Sequence, residues 1–420
     1  MVNAKKCCSA TLFRCLENEK SAQQSSQWAR ILDWEGSCLI KITPGSHAYR
    51  IIMLILITGE FPFQSLALLG DVRTLKAIAT RLSKTDTVMF SWSEKTFEGR
   101  VVCISGKGKM KTMRLSKRVF PILREKMETE LHQYLCLFQH GHFRGDKVRI
   151  ERHHRLAEAI AFMMSCGIEC SAHLIPQLQI MESIPIDFHE PAFYSSKYLK
   201  SVGNGEENKT QYTRMVGSLL TSSSNYIVYN TRDGVMNWHG QGEQKMLLNM
   251  ETIVMRNSYN AKINSAILLG SDYDTALNTL FSYEAGEKNV DLINQGYEMM
   301  YFIPMSSQGK KLLQFLVLPN WKEELLLSVF TNDQLMVGKG SFTYDAMVDG
   351  IHILSFLDSD ILKLSKFHRA VKQNGFPWAV YCFDFQVPFL RSYLGASADI
   401  WSIELEDIHS DLNAERKELL

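Results

Sequence analysis

The chain has 420 residues, of which 45% are hydrophobic and 22% charged, and its formal net charge is +1. This length predicts about two to four domains. The composition is ordinary for a globular protein and excludes a chain that is disordered throughout. The low counts of 25 glycines and 10 prolines also exclude collagen-like and mucin-like proteins.

The nine cysteines have no regular spacing, which is typical of a reducing compartment rather than a disulfide framework. Two groups invite a zinc interpretation: Cys7, Cys8 and Cys15, and Cys166, Cys170 and His173. Neither group has the paired ligand sets of a structural zinc site, so ordinary cysteines are the favoured interpretation.

The longest apolar run covers residues 51–58. It is far shorter than the roughly 20 residues that span a bilayer. No secretory leader pattern follows Met1. We therefore expect a cytoplasmic protein that is not inserted into a membrane.

Residues 1–46 predict an irregular N-terminal extension, and residues 47–127 have the pattern of a winged-helix DNA-binding domain. Apolar periodicity predicts helices at 48–59, 62–69, 72–82 and 115–127. Alternating apolar residues predict strands at 87–92 and 100–105. Three helices followed by a two-stranded ribbon make the winged form of the helix-turn-helix.

Charge supports this interpretation, because residues 71–126 contain 14 Lys or Arg against 5 Asp or Glu. Phosphate contacts from such residues supply most non-specific DNA affinity. The candidate DNA-binding residues are Arg73, Lys76 and Arg81 on the third helix and Lys107, Lys109, Lys111 and Arg114 beyond it. The alternatives are a solvated helix face and a protein-docking module.

Residues 128–150 predict a linker, and residues 151–420 a second domain. Helices are predicted at 152–166, 243–255, 272–281, 321–330 and 358–374. Strands are predicted as a hairpin (214–221 and 226–231), a buried strand (263–270), a second hairpin (299–304 and 312–318) and a parallel pair (351–357 and 378–385). This order predicts an α/β core with helices on both sides of a sheet, and an α+β class for the whole chain.

Asp233, Glu243 and Lys245 form the most suggestive group for catalysis, in the spacing D-x9-E-x-K. Carboxylates from adjacent elements hold Mg²⁺ or Mn²⁺ in metal-dependent nucleases, and a lysine stabilises charge on the phosphate. Asp233 and Glu243 are the candidate metal ligands, and Glu158 is a further candidate carboxylate. The alternative is that Asp233 belongs to a turn, while Glu158, Glu243 and Lys245 lie on exposed helix faces.

Two further groups carry weaker signals. Tyr226 and Tyr229 share one face of a strand and could include a nucleophile, although core packing is the favoured role. Asp272 and Asp274 follow a buried strand, where N-capping of the next helix is the simpler role.

Several segments together resemble the replication-relaxation family and mobilisation relaxases of the MOBC type. They are FPFQSLALLG-DVRTLKAIATRLS and KTMRLSKRVFPIL in the first half, and RHHRLAEAIAFMMSCGIE, FYSSKYLK and RMVGSLL…YIVYNTRDGVMNW…GEQK in the second. The resemblance covers roughly residues 47–270, and YCFDFQVPFLRSYL adds to it. It implies a winged helix joined to a restriction-endonuclease-like domain. In such folds a metal-binding Asp often stands where this chain has Asn225.

The resemblance implies a relaxase that nicks one strand of double-stranded DNA at the transfer origin of a conjugative or mobilisable element. Mg²⁺ or Mn²⁺ would be its cofactor, and a coupling ATPase or other mobilisation proteins would be its partners. The alternative is a non-catalytic DNA-binding accessory or replication-control protein, which the loss of an Asp at Asn225 favours.

Overall fold

The computed structural model describes residues 40–138, 143, 145–170, 191–199, 213–221, 223–235, 240–257, 263–287, 296–335 and 343–408. The predicted N-terminal extension lies outside the described residues up to position 39, and so do Cys7, Cys8, Cys15 and His173. The chain divides into two compact units, Met1–His142 (unit 1) and Phe143–Leu420 (unit 2). No helix within the described ranges is long and apolar enough to cross a bilayer.

The described part of unit 1 alternates short helices and short strands. Its helices are α1 (His47–Thr58), α2 (Val72–Leu82), α3 (Phe120–Arg124) and α4 (Glu128–Leu137), with 3₁₀ helices at Phe63–Leu69, Gly108–Met110 and Lys117–Val119. Its strands are β1 (Ile40–Ile42), β2 (Phe61–Pro62), β3 (Asp86–Phe90), β4 (Thr96–Gly99), β5 (Val102–Ser105) and β6 (Thr112–Leu115).

Helix α2 shows how the local sequence sets an element. Asp71 caps its N-terminus by accepting a hydrogen bond from the Thr74 amide. Leu75, Ala79 and Leu82 recur at helical spacing and are buried, so the opposite, polar face is left to solvent. The observed bounds are those predicted from the sequence.

The strand pairing in unit 1 differs from the predicted ribbon. The predicted strands 87–92 and 100–105 do not pair with each other, because β3 pairs with β4 and with β1, while β5 pairs with β6. The second sheet has the order β2-β6-β5. The predicted helix 115–127 was wrong at its start: Thr112–Leu115 is a strand, and Pro121 lies in the first turn of α3, where proline is tolerated.

The region between 128 and 150, predicted as a linker, contains α4 and the start of a long helix of unit 2. The helices of unit 2 are α5 (Lys147–Ser165), α6 (Ser196–Leu199), α7 (Gly240–Asn257), α8 (Tyr273–Glu284), α9 (Ser307–Leu316), α10 (Trp321–Leu327), α11 (Ile361–Asn374) and α12 (Val387–Leu394). Its strands are β7 (Ala192–Ser195), β8 (Gly217–Leu220), β9 (Asn225–Arg232), β10 (Ser265–Gly270), β11 (Met299–Pro304), β12 (Ala346–Val348), β13 (Ile351–Ser355), β14 (Trp378–Phe383) and β15 (Ile400–Ile403).

Strands β7 to β11 form a five-stranded sheet in the order β11-β10-β9-β8-β7. The hairpin of β8 and β9 is antiparallel, as predicted, and β10 lies between β9 and β11 in parallel. All six residues of β10 are buried, which confirms the prediction of a strand covered on both faces. The sequence prediction missed β7.

Strands β12 to β15 form a second sheet in unit 2, in the order β12-β13-β14-β15. Strands β13, β14 and β15 are parallel and are connected through α11 and α12, so the predicted strand–helix–strand pattern is confirmed. The predicted second hairpin was wrong, because its second arm is helix α9. Ser306 caps α9, and Leu312, Leu313 and Leu316 are buried at helical spacing.

The described chain is therefore a mixed α+β protein with four small sheets, two in each unit. This agrees with the predicted class.

Candidate functional site

Unit 1 carries a groove, the α2 groove, of about 500 Å³. Its lining residues are Phe63, Lys76, Ala77, Thr80, Arg81, Lys84 and Asp86. Lys76 and Thr80 are four residues apart on one face of α2, and Lys84 follows just beyond the end of the helix. Three cations and one carboxylate give this groove a net positive charge.

Two cations of the α2 groove have polar partners within the unit. Lys76 Nζ donates to Gln64 Oε1 at 2.7 Å, and Arg81 Nε lies 3.7 Å from Asp86 Oδ2. An ion pair as exposed as the second one contributes about 0–1 kcal/mol.

Phe63 joins the α2 groove to the loop between β5 and β6. Lys76 Nζ and Lys111 Nζ lie 5.9 and 6.0 Å from the centre of its ring, close enough for cation–π attraction. The Phe63 amide also donates to the Lys111 carbonyl at 2.8 Å. Because of these contacts, the base of the loop lies beside the groove, and the two form one basic surface.

The remaining predicted DNA-binding residues divide by exposure. Arg73 on α2 is exposed, and so are Lys107 and Lys109 in the loop. Arg114 is half-buried on β6, and its charge acts on Tyr134 of α4. Burial raises the pKa of Tyr134 to about 12, and the Arg114 charge opposes that rise. Arg114 therefore contributes to the interior as well as to the basic surface.

In unit 2, Glu158 is buried and ion-paired. Its two carboxylate oxygens accept from Arg232 Nε at 2.7 Å and Nη2 at 3.0 Å. Arg232 has a left-handed backbone, with φ +58°, next to a register shift between β9 and β10. Such irregularities re-aim side chains, and this one directs Arg232 onto α5. The sequence-based alternative of an exposed Glu158 is not what the structure shows.

Glu243 is buried at the start of α7, with 3% of its surface exposed. Its Oε2 accepts from the Tyr229 hydroxyl at 3.0 Å, and its Oε1 accepts from the Arg214 amide at 3.0 Å. The Tyr229 hydroxyl also lies 2.7 Å from that of Tyr297. Burial first, and then the neighbouring Tyr297 and Glu243, hold the pKa of Tyr229 well above its ordinary value. Tyr229 therefore remains a protonated donor at neutral pH.

Glu158 and Glu243 lie on opposite faces of the five-stranded sheet. Tyr229 reaches Glu243 on α7, whereas the next residue, Asn230, donates to the Arg155 carbonyl of α5 at 2.9 Å. Successive side chains of a strand point to opposite faces. The layers predicted on both sides of the sheet are thus present, and they separate two carboxylates that were grouped in the prediction.

The other residues of the predicted catalytic group are exposed. Asp233 lies in the turn after β9, and Lys245 lies on α7 with its side chain in solvent. Asn225 is buried at the first position of β9 and pairs with Leu220 of β8.

The contacts give structural roles to two further groups singled out in the sequence. Tyr226 and Tyr229 are both core residues, fully buried. The prediction that they share one face of a strand was wrong, because they are three residues apart on β9 and point to opposite faces, Tyr226 toward α9 and Tyr229 toward α7. The Tyr226 hydroxyl donates to the Leu316 carbonyl at 2.9 Å and accepts from Trp321 Nε1 at 3.2 Å. Asp272 caps α8 through the Thr275 amide.

Sequence reasoning missed a buried ionic cluster in unit 2. Lys363 Nζ lies 3.1 Å from both Asp345 Oδ2 and Asp358 Oδ2. Asp360 caps α11 and also accepts from the Met300 amide of β11 at 3.1 Å. The cluster thereby links the two sheets of unit 2. Its signal in the sequence is a D-x-D-x-x-K spacing directly after an apolar strand.

Across the described residues, no three His, Cys, Asp or Glu side chains are arranged to hold a metal ion. The part of the zinc candidate that is described, Cys166 and Cys170, consists of buried thiols. Burial raises the pKa of Cys166 to about 12.

No known family model matches the chain, and no significant match was found among curated proteins or solved structures.

Proposed function

We propose that this chain is a non-catalytic double-stranded DNA-binding protein that contacts the duplex through unit 1. The observation that carries the proposal is the joined basic surface of the α2 groove and the β5–β6 loop. Phe63 links its two parts through Lys76 and Lys111. Phosphates of a duplex would contact the cations of this surface, and the release of counterions would drive binding.

The order of elements supports a winged-helix interpretation of unit 1. The chain order is helix α1, strand β2, the 3₁₀ helix at Phe63–Leu69, helix α2 and then, after β3 and β4, the hairpin of β5 and β6. Strand β6 pairs with both β2 and β5. In this arrangement α2 is the recognition helix and the β5–β6 loop is the wing. Strands β3 and β4 are an insertion between the recognition helix and that hairpin.

The hydrogen bonds of Glu158 and Glu243 support the proposal that the protein is non-catalytic. A Mg²⁺ ion needs carboxylate oxygens from one cleft. Glu158 and Glu243 face opposite sides of the sheet, and each accepts hydrogen bonds of its own, from Arg232 and from Tyr229 respectively. Glu158 therefore does not share a metal ion with Glu243, and of the predicted metal ligands, Asp233 and Glu243, the second is buried and hydrogen-bonded within the protein.

A second candidate function is the metal-dependent nicking that the sequence resemblance implies. The observation that favours it is the layering of unit 2, with helices on both faces of a mixed sheet and the exposed Asp233 directly after β9. A metal site at the end of β9 would use Asp233 and Lys245, together with further ligands beyond those described above.

The basic surface is tested by fluorescence anisotropy of the full chain on a labelled duplex across a salt series. Seven basic residues of this surface contacting phosphates, namely Arg73, Lys76, Arg81, Lys84, Lys107, Lys109 and Lys111, would give a slope of about −6 in log K against log salt. Each of Lys76→Ala, Arg81→Ala and Lys84→Ala is expected to reduce the slope by about one. Lys372→Ala, which removes an exposed charge from α11 in unit 2, is the matched control. A flat salt response, or equal effects of the control, would contradict the proposal.

The two candidate functions are separated by incubating the protein with supercoiled plasmid that carries DNA flanking its coding sequence. Mg²⁺, Mn²⁺ and EDTA are compared for wild type, Asp233→Asn and Glu243→Gln. The proposal predicts binding without metal-dependent open circles. Metal-dependent nicking that Asp233→Asn or Glu243→Gln abolishes, with DNA binding intact, would replace it with the second candidate.

A further inference from the structure

The end of the β5–β6 loop exposes a large apolar side chain. Met110 is 54% exposed, more than any other large hydrophobic residue described in unit 1. Lys107, Lys109 and Lys111 alternate with it and are exposed as well. The loop therefore presents one apolar group among three cations.

The conformation of this loop is fixed by backbone hydrogen bonds and by a glycine. The Met110 amide donates to the Lys107 carbonyl at 3.0 Å, and the Lys111 amide donates to the Gly108 carbonyl at 3.3 Å. Gly106 has φ +84°, and a Cβ at this position would lie 2.3 Å from the Met110 carbonyl oxygen. A glycine is required there for the turn that brings Met110 to the end of the loop.

From these observations we infer that Met110 is an apolar wedge, which enters the minor groove of duplex DNA and partly unstacks a base step. The inference rests on the proposed DNA-binding function. The three lysines contact the phosphates on both sides of the groove, while the methionine occupies the apolar space between base pairs. Side chains of this kind kink duplexes by about 20–90°. Methionine suits the role because its unbranched thioether adapts to an irregular gap.

The wedge predicts that this protein bends its DNA. Pyrimidine–purine steps unstack most easily, so bending would be strongest on a duplex with a central TA or CA step. Specificity would then come in part from the deformability of the site rather than from contacts to base edges.

The test uses the full chain and a duplex of about 30 base pairs, labelled at both ends for energy transfer, with a central TA step. Wild type is expected to shorten the end-to-end distance. Met110→Leu should retain this change, because leucine is also an apolar wedge. Met110→Ala should lose more than half of it, while binding weakens less than about tenfold because the lysine contacts remain. Leu135→Ala removes an exposed apolar side chain from α4 and is the matched control.

The outcomes separate the wedge from the function on which it rests. If wild type binds the duplex without bending it, or if Met110→Ala bends it as wild type does, the wedge is refuted and the DNA-binding proposal stands. If wild type does not bind the duplex at all, both are refuted. Because Met110 is exposed, its replacement is expected to leave the fold intact, which a thermal unfolding curve of each variant verifies.

Discussion

Replacing Tyr229 with Phe tests whether Glu243 is a structural acceptor. The substitution removes the hydroxyl that donates to Glu243 Oε2, and it keeps the ring in place. Tyr226→Phe is the matched control, because Tyr226 lies on the same strand, is equally buried and donates to a neutral carbonyl instead. The two variants therefore leave different acceptors behind, and these differ in charge if Glu243 is ionised, which the comparison tests.

The expected magnitudes follow from that difference. A hydrogen bond to a charged group contributes about 1.5–3 kcal/mol, and one between neutral groups about 0.5–1.5 kcal/mol. Tyr229→Phe should thus lower the free energy of unfolding of unit 2 by about 1 kcal/mol more than Tyr226→Phe does. Combining Tyr229→Phe with Glu243→Gln should cost less than the sum of the two, because both changes remove the same contact.

The assay is equilibrium urea unfolding of the full chain, followed by hydrogen exchange of peptides from β9 and β10. Exchange in these strands assigns the transition to unit 2, which matters because a chain of two units need not unfold in a single step. Equal losses for Tyr229→Phe and Tyr226→Phe would refute the assignment of Glu243 as a charged acceptor. Stabilisation of wild type by Mg²⁺ that Glu243→Gln removes would also refute it, since a ligand that binds the folded state raises its stability.

Three further predictions follow from the described contacts. Arg232→Ala should destabilise unit 2 by about 2–4 kcal/mol in thermal unfolding, because it leaves the buried Glu158 carboxylate without its bidentate partner; Glu158→Gln, which leaves no unpaired buried charge, should cost less. Burial, and then the charge of a neighbouring aspartate, raise the pKa of Asp360 to about 6. The folded state therefore holds this proton more tightly than the unfolded chain does, and stability is lost as the pH rises from about 4 through about 6. Asp360→Asn should flatten that pH dependence in urea titrations at pH 4 to 7. Gly106→Ala should lower the stability of unit 1 by about 1–3 kcal/mol and weaken DNA binding, whereas Gly108→Ala, whose Cβ meets nothing within 4 Å, should cost less.

Helices and strands were mostly predicted correctly where the apolar residues follow a single pattern along the whole element. Helix α2 has its predicted bounds because Asp71 marks its start and Leu75, Ala79 and Leu82 mark its buried face. Strand β10 was recognised because every residue of it is apolar or small. In both cases the local pattern and the tertiary environment agree, which is the condition under which local reasoning succeeds.

The errors came from segments where periodicity is ambiguous. The run at 312–318 is apolar enough for a strand, but the cap at Ser306 makes it the end of a helix. The segment 112–115 has only four residues, too few to show the alternation of apolar and polar residues that marks a strand. It is followed closely by helix α3, which has Pro121 in its first turn. Short apolar runs of this kind are not distinguished by periodicity alone, and pairing partners decide them.

The two predicted functional sites, the basic surface and the catalytic carboxylates, also differ in how far the sequence could define them. A count of charges found the basic surface, because electrostatic attraction to phosphates depends on the number and rough position of cations and tolerates error in their placement. A catalytic group of carboxylates has no such tolerance, since its members must share one cleft. The pleat of β9 separates two members of the predicted group: Tyr229 and Asn230 are neighbours in the chain, yet they lead to α7 on one face and α5 on the other. Glu243 and Glu158 follow them to opposite sides. Sequence spacing cannot show on which face of a sheet a helix will pack, and for this reason the basic surface is the stronger basis for a functional proposal.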